Sequence, residues 1–368
     1  MDYIFSLIHM FVYYFLPLVA VLGIMIFFHE LGHFLVAKYF GVTVQKFALG
    51  FGPKLVAKTL GDTEYSIRYF PLGGFVKMLG EDPTDEETRV LSSDEEEAAF
   101  NNKHAVIRIA IVAAGPLFNL ALALVLFCGL YLFVGISVMA PEIGQVREGS
   151  PGHRAGLEKG DIIVSVEGKK IEGWSEIREA VQAKGGNPLV ITVERNDRLI
   201  SMTVIPEESS TKNEFGEDVR SFLIGIVGSG QTKVLEVGPW QAARQGVLET
   251  WKWIKLTCVV IAKLFQGVVS IKTLGGPVLI GQMTGQLAQE NLSYLIPFMA
   301  IISVNLGILN LFPIPILDGG LIVFLLTELL LGRPVSLKTR EIAQKVGLAL
   351  LIFLMLFVTY NDLSRIFG

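Results

Sequence analysis

His29-Glu30-Leu31-Gly32-His33 sets two imidazoles four residues apart, with a carboxylate beside the first. On a helix an i, i+4 pair shares one face. Both rings can then bind one zinc ion, while the intervening Glu takes a proton from an attacking water. In a chain of this length and composition, H-E-x-x-H arises by accident about 0.005 times. The bland reading is two histidines and a glutamate snorkelling at a helix end. Against it, ionisable groups inside an apolar run are costly and mark functional sites by default.

A zinc hydrolase needs a third protein ligand and an open fourth position. Asp318 is set deep in another apolar run, within Asn310-Leu-Phe-Pro-Ile-Pro-Ile-Leu-Asp318-Gly319-Gly320. Pro313 and Pro315 remove two backbone donors and bend a helix, and the paired glycines permit unusual dihedrals. Irregular backbone at membrane depth is tolerated only where protein buries it or where it lines a water-filled cavity. Taken alone, the segment reads equally well as a kinked packing helix with an isolated neutral Asp.

The elements that must position these groups are membrane spans. Of 368 residues, 51% are hydrophobic and 18% charged, with a mean hydropathy of +0.53. Soluble chains carry about a quarter charged residues. The apolar excess is gathered into runs at 3–28, 105–140, 291–331 and 346–360, which predicts a polytopic α-helical membrane protein of four spans, the third broken. No small-residue cleavage site follows the first run, so no removable signal peptide is expected. Net charge is −4, which gives a nucleic-acid partner no footprint. Cys128 and Cys258 stand in apolar stretches, read as small buried hydrophobes, and provide no disulfide framework.

Basic residues choose the orientation. The loop 37–104 and the linker 332–345 hold most of the flanking Lys and Arg, whereas residues 1–28 have none. The positive-inside rule places both loops in the cytoplasm and both termini outside. The acidic stretch 81–97 reads as a solvated part of the first loop. Segment 141–290 lies outside with the termini. Within it, 141–207 reads as short strands separated by turn clusters, with one helix near 175–184. Residues 240–270 mix Trp251, Trp253 and Val259 with Lys252, Lys255 and Lys263. That mixture predicts an amphipathic helix lying at the interface rather than a fifth span.

H-E-L-G-H at 29–33, A-A-G-P-L-F-N at 113–119 and N-L-G-I-L-N-L-F-P-I-P-I-L-D-G-G at 305–320 resemble the site-2 protease family of intramembrane zinc metalloproteases, the bacterial RseP-like branch above all. The resemblance covers nearly the whole chain. It implies that His29, His33 and Asp318 bind zinc, that Glu30 is the base, and that Asn310 hydrogen-bonds the substrate backbone. It further implies a bacterial inner-membrane enzyme with its active site toward the cytoplasm. Such an enzyme cleaves single-pass membrane proteins, anti-sigma factors or remnant signal peptides among them, after an upstream protease has trimmed them.

Between the first two spans, Tyr65, Ile67 and Tyr69 alternate with Ser66 and Arg68, flanked by Gly50-Phe51-Gly52-Pro53 and Phe70-Pro71-Leu72-Gly73-Gly74. A substrate helix must unwind before hydrolysis, and an exposed strand offers its freed amides new partners. The resemblance makes this a membrane-dipping β-element that clamps substrate; otherwise it reads as a cytoplasmic hairpin. Gly115-Pro116 and Asn119 read as packing features that shape the cavity indirectly. Glu148-Gly-Ser-Pro151 through Gly160-Asp161-Ile-Ile resembles a PDZ domain, a binder of extended peptide ends, present here once rather than in tandem. His9, His104 and His153 lack metal-compatible partners in sequence. Two other functions compete: a transporter with ionisable groups beside broken helices, and a non-catalytic adaptor that holds partners through its outer domain.

Overall fold

The computed structural model describes residues 9–81, 92–212 and 217–367; the start of the first apolar run and the middle of the acidic stretch lie outside them. Two compact units result, Met1–Leu130 with Ala243–Gly368, and Tyr131–Ala242.

In the larger unit a π-helical turn, Phe11–Phe15, leads into α1, Leu16–Tyr39, with Pro17 in its first turn where no donor is lost. Strands β1, Val44–Leu60, and β2, Thr63–Met78, each bend and pair with one another more than once. Residues 46–49 lie beside 64–67 and also beside 74–77, while 64–67 pair on their other side with 56–59. A curled sheet of four short segments results, not a flat hairpin. A short helix, α2, Ser93–Glu97, follows, closed by a Ser92–Glu95 capping box, so this end of the acidic stretch is structured. Then comes α3, Ala105–Phe133, which contains Pro116. The second apolar run was expected to continue to 140, but the helix stops at Phe133, and Gly135 (φ +87°) turns the chain into a strand.

The smaller unit holds β3, Ile136–Met139; β4, Ile143–Val146; α4, Pro151–Arg154; β5, Ile162–Val166; β6, Lys169–Lys170; α5, Trp174–Lys184; β7, Leu189–Arg195; and β8, Arg198–Val204. Its main sheet has the order β6-β5-β7-β8. Ile163, Ile191, Val193 and Val204 from the sheet pack with Ile177 and Val181 of α5. Four more strands follow: β9, Glu207–Lys212; β10, Asp218–Leu223; β11, Ile226–Gly228; and β12, Thr232–Leu235. The boundary expected at 207 therefore falls inside this unit. Ile224 is buried in its core, and β11 pairs with β4. Arg195 grips the fully buried Asp161 at 2.6 and 2.7 Å and tethers the end of β7 to the turn before β5.

Helix α6, Pro239–Phe265, is one continuous helix that covers most of the stretch expected at 240–270. Gly246 sits against Cys128 of α3, and Thr257 Oγ1 donates to Asn305 at 2.7 Å. At 1.5 Å per residue, Cys128 is about 20 Å along α3 from Gly115, and Asn305 about 8 Å from Asn310. Helix α6 thus runs down the flanks of its neighbours toward the level of the histidines. Helix α7, Pro277–Glu290, climbs back, with Gly281 against Leu18 and Gly285 against the Tyr14 ring. The buried Asp362 holds its start by accepting from the amides of Gly276 and Leu279 at 3.0 Å. Together α6 and α7 run in opposite directions along the flanks of α1, α3, α8 and α10. Of the two cysteines, Cys128 is half-buried and Cys258 exposed, so the second is not the buried hydrophobe expected.

Helix α8, Leu295–Asn310, breaks at the two prolines, and α9, Asp318–Leu331, starts afresh beyond them. The paired glycines serve close approach rather than unusual dihedrals. A Cβ on Gly319 would stand 2.2 Å from the Leu311 carbonyl oxygen, and one on Gly320 2.2 Å from that of Ile314. Helix α10, Leu337–Phe367, absorbs most of the basic linker expected at 332–345. Glu328 of α9 accepts from Arg108 of α3 and from Arg340 of α10, pinning three helices together. Among the described residues four helical stretches are long and apolar enough to cross a membrane: Phe11–Tyr39, Ala105–Phe133, Leu292–Asn310 and Leu337–Phe367.

Candidate metal centre

His29 and His33 project from the same face of α1, one turn apart, and Asp318 meets them from the first residue of α9. His29 Nε2 lies 3.2 Å from Asp318 Oδ2 and 3.3 Å from His33 Nε2; His33 Nε2 lies 3.7 Å from Asp318 Oδ1. Ligand atoms roughly 2.0–2.1 Å from a tetrahedral zinc stand about 3.3 Å from one another. The three side chains already converge at that spacing, so they fit the metal that H-E-x-x-H calls for.

Two glycines make the convergence possible. A Cβ on Gly115 of α3 would lie 2.2 Å from His33 Nε2 and 2.9 Å from His29 Cε1, so backbone alone forms that wall of the site. On Gly32 a Cβ would stand 2.4 Å from the Ala114 carbonyl oxygen, which sets how closely α1 approaches α3. Gly32→Ala is therefore expected to force the two helices apart, at a cost of about 1–3 kcal/mol. The change would be read as a lowered melting temperature in detergent together with faster zinc loss to a chelator.

Buried His33 places Nδ1 2.9 Å from the Ile111 carbonyl oxygen. Because a carbonyl only accepts, Nδ1 carries the proton and Nε2 is left free to bind metal. Asn310, at the end of α8, points Nδ2 toward His29 Nε2 at 3.5 Å. Asn119, read from sequence as a packing amide, is fully buried with Nδ2 3.3 Å from His29 Nδ1.

The strand nearest Glu30 is not the one expected. Tyr65 packs among Phe34 and Phe47, and Tyr69 is exposed. Ile67 lines an apolar cavity of about 390 Å³ with Phe27, Phe28, Leu49 and Gly73. The 64–67 segment is paired on both sides, so its amides are already used. It is 74–77 that passes Glu30. A Cβ on Gly74 would lie 3.1 Å from Glu30 Cγ, and the Val76 backbone lies close to the carboxylate. Only one side of 74–77 has a strand partner among the described residues. Adjacent Gly73-Gly74 was the available clue, since paired glycines mark a close backbone approach.

The model of the family described as "Peptidase family M50" matches residues 17–354. The zinc metalloprotease RasP of Geobacillus kaustophilus is 33% identical over 419 aligned residues, which cover 95% of this chain and 97% of that protein. Proteins of Agrobacterium fabrum and Campylobacter jejuni, each named "Putative zinc metalloprotease", are 34% and 36% identical. The first alignment covers 96% of this chain and 97% of its relative, the second 96% and 94%. With both histidines and the glutamate on a helix long enough to cross a bilayer, and the aspartate converging on them, the chain belongs to peptidase family M50, the site-2 proteases, and is a membrane-embedded zinc metalloprotease.

Proposed function

We propose that the enzyme hydrolyses a peptide bond within the transmembrane segment of single-pass membrane proteins that another protease has already trimmed. One observation supports this reading: His29, Glu30, His33 and Asp318 converge beside helices long and apolar enough to cross a membrane, the setting in which a transmembrane segment would be the substrate. The basic loops argue for a bacterial inner membrane with the site toward the cytoplasm. Both termini and the small domain would then lie outside. The small domain resembles a PDZ module by its motif and is proposed to meet the trimmed end of the substrate.

His29, His33 and Asp318 would hold the zinc, which supplies a Lewis acid that polarises the scissile carbonyl and acidifies the attacking water. The Glu30 carboxylate takes the proton of that water and returns it to the leaving amine. Asn310, beside His29, offers its amide to the substrate backbone. The unwound substrate adds to the open side of 74–77, so its freed amides exchange helical hydrogen bonds for sheet ones. An apolar side chain can enter the cavity lined by Ile67 and Phe28.

The test uses purified wild-type protein in lipid vesicles with tagged single-pass substrates, whole or trimmed, and mass spectrometry of the fragments. Cleavage inside the apolar segment of the trimmed substrate alone is expected. Cuts confined to segments outside the membrane would overturn the reading. Transport or adaptor activity without cleavage would favour one of the two rival functions.

A further inference from the structure

We infer that Asn119 is a positioning residue for the zinc site: its amide oxygen accepts from His29 Nδ1–H and so fixes the ring plane and tautomer of that ligand. The inference rests on His29, His33 and Asp318 being the zinc ligands. As the side chain stands, Nδ2 lies 3.3 Å from His29 Nδ1, while the buried Oδ1 has no hydrogen-bond partner. A neutral imidazole that accepts at Nδ1 carries its proton on Nε2. Yet Nε2 is the atom that faces Asp318 at 3.2 Å and His33 at 3.3 Å, where a metal ligand must be unprotonated. The two ends of an amide are nearly the same in size and shape. Turning the group brings the unused acceptor to Nδ1–H and frees Nε2 for the metal.

Two neighbouring contacts support this assignment. His33 already holds the same tautomer through the Ile111 carbonyl, so α3 serves both ligands, once with backbone and once with a side chain. Asn119 is itself held in place: its backbone carbonyl accepts from the buried Ser303 Oγ of α8 at 2.8 Å. A line of hydrogen bonds thus runs from α8 through α3 to the ligand on α1. Pure packing would not require a polar group at a fully buried position beside an imidazole nitrogen.

The test compares zinc affinity of the full-length protein in detergent, by competition with a fluorescent chelator, for Asn119→Leu and Asn119→Asp. Leucine matches the volume and has no acceptor; it is expected to weaken zinc binding by roughly 10–100-fold. Aspartate restores an acceptor and is expected to bind within a few-fold of wild type. The visible absorption of the cobalt-substituted protein should change in the leucine variant and recover in the aspartate one. Equal affinity in all three, or equal loss in both variants, would overturn the inference. Should the variants fail to fold, ¹⁵N NMR of histidine in the zinc-loaded wild type still decides it. A protonated, hydrogen-bonded His29 Nδ1 is expected, and an unprotonated Nδ1 would overturn the inference.

Discussion

Glu30→Gln is expected to keep its zinc and lose peptide hydrolysis. Glutamine preserves the shape of the side chain beside Gly74 and the Val76 backbone, but it cannot accept a proton from water. A positioned general base is worth roughly 10²–10⁴ in rate, and the loss should reach at least that range. Initial rates on a trimmed substrate, measured beside the zinc content of the same preparation, separate the two effects. Full zinc with no turnover is the expected pair of results. Wild-type rates from Glu30→Gln would remove Glu30 from the mechanism, and loss of zinc would show that it supports the metal site instead.

Asp318→Asn is expected to fail at the earlier step, metal retention. The carboxylate reaches both histidines from another helix, and the neutral amide is a much weaker ligand for zinc. Loss of a direct ligand should exceed the roughly 10–100-fold cost typical of losing an outer hydrogen-bond partner. The purified variant should therefore carry little zinc at concentrations that saturate Glu30→Gln. His33→Ala should behave like Asp318→Asn, because Nε2 of His33 completes the same cluster. If Asp318→Asn instead holds zinc as tightly as wild type, the third ligand lies elsewhere.

The metal cluster was legible in the sequence because its chemistry is local. An i, i+4 histidine pair carries its own geometry, whereas Asp318 taken alone read equally well as an isolated Asp in a kinked packing helix, and the resemblance made it the third ligand. The main helices were legible for a similar reason: length and hydropathy decide them. What sequence concealed is relational. Tyr65, Ile67 and Tyr69 alternate like a strand and form one, yet curling of the sheet buries its edges and gives the place beside Glu30 to 74–77. No periodicity reports which edge of a curled sheet stays open. Asn119 looked like a packing amide because His29 is 90 residues away in the chain. Lysines in α6 argued for a surface helix, but Thr257 and Gly246 carry the contacts that place it along α3 and α8. The small domain ran past 207 because a strand at 226–228 returns to pair with 143–146, a long-range pairing that turn signals do not encode.

The packing of α6 and α7 also constrains the order of assembly. Among the described residues neither helix is both long and apolar enough to count as a span. Their docking partners are Cys128, Asn305, Leu18, Tyr14 and Asp362, and the last of these belongs to α10, made well after α7 itself. The amide cap on α7 therefore cannot form until α10 has been made. Until then the nascent enzyme carries its H-E-x-x-H helix into the membrane with one flank uncovered. Late docking of this kind gives quality-control proteases and insertases a window in which an unfinished copy differs visibly from a mature one.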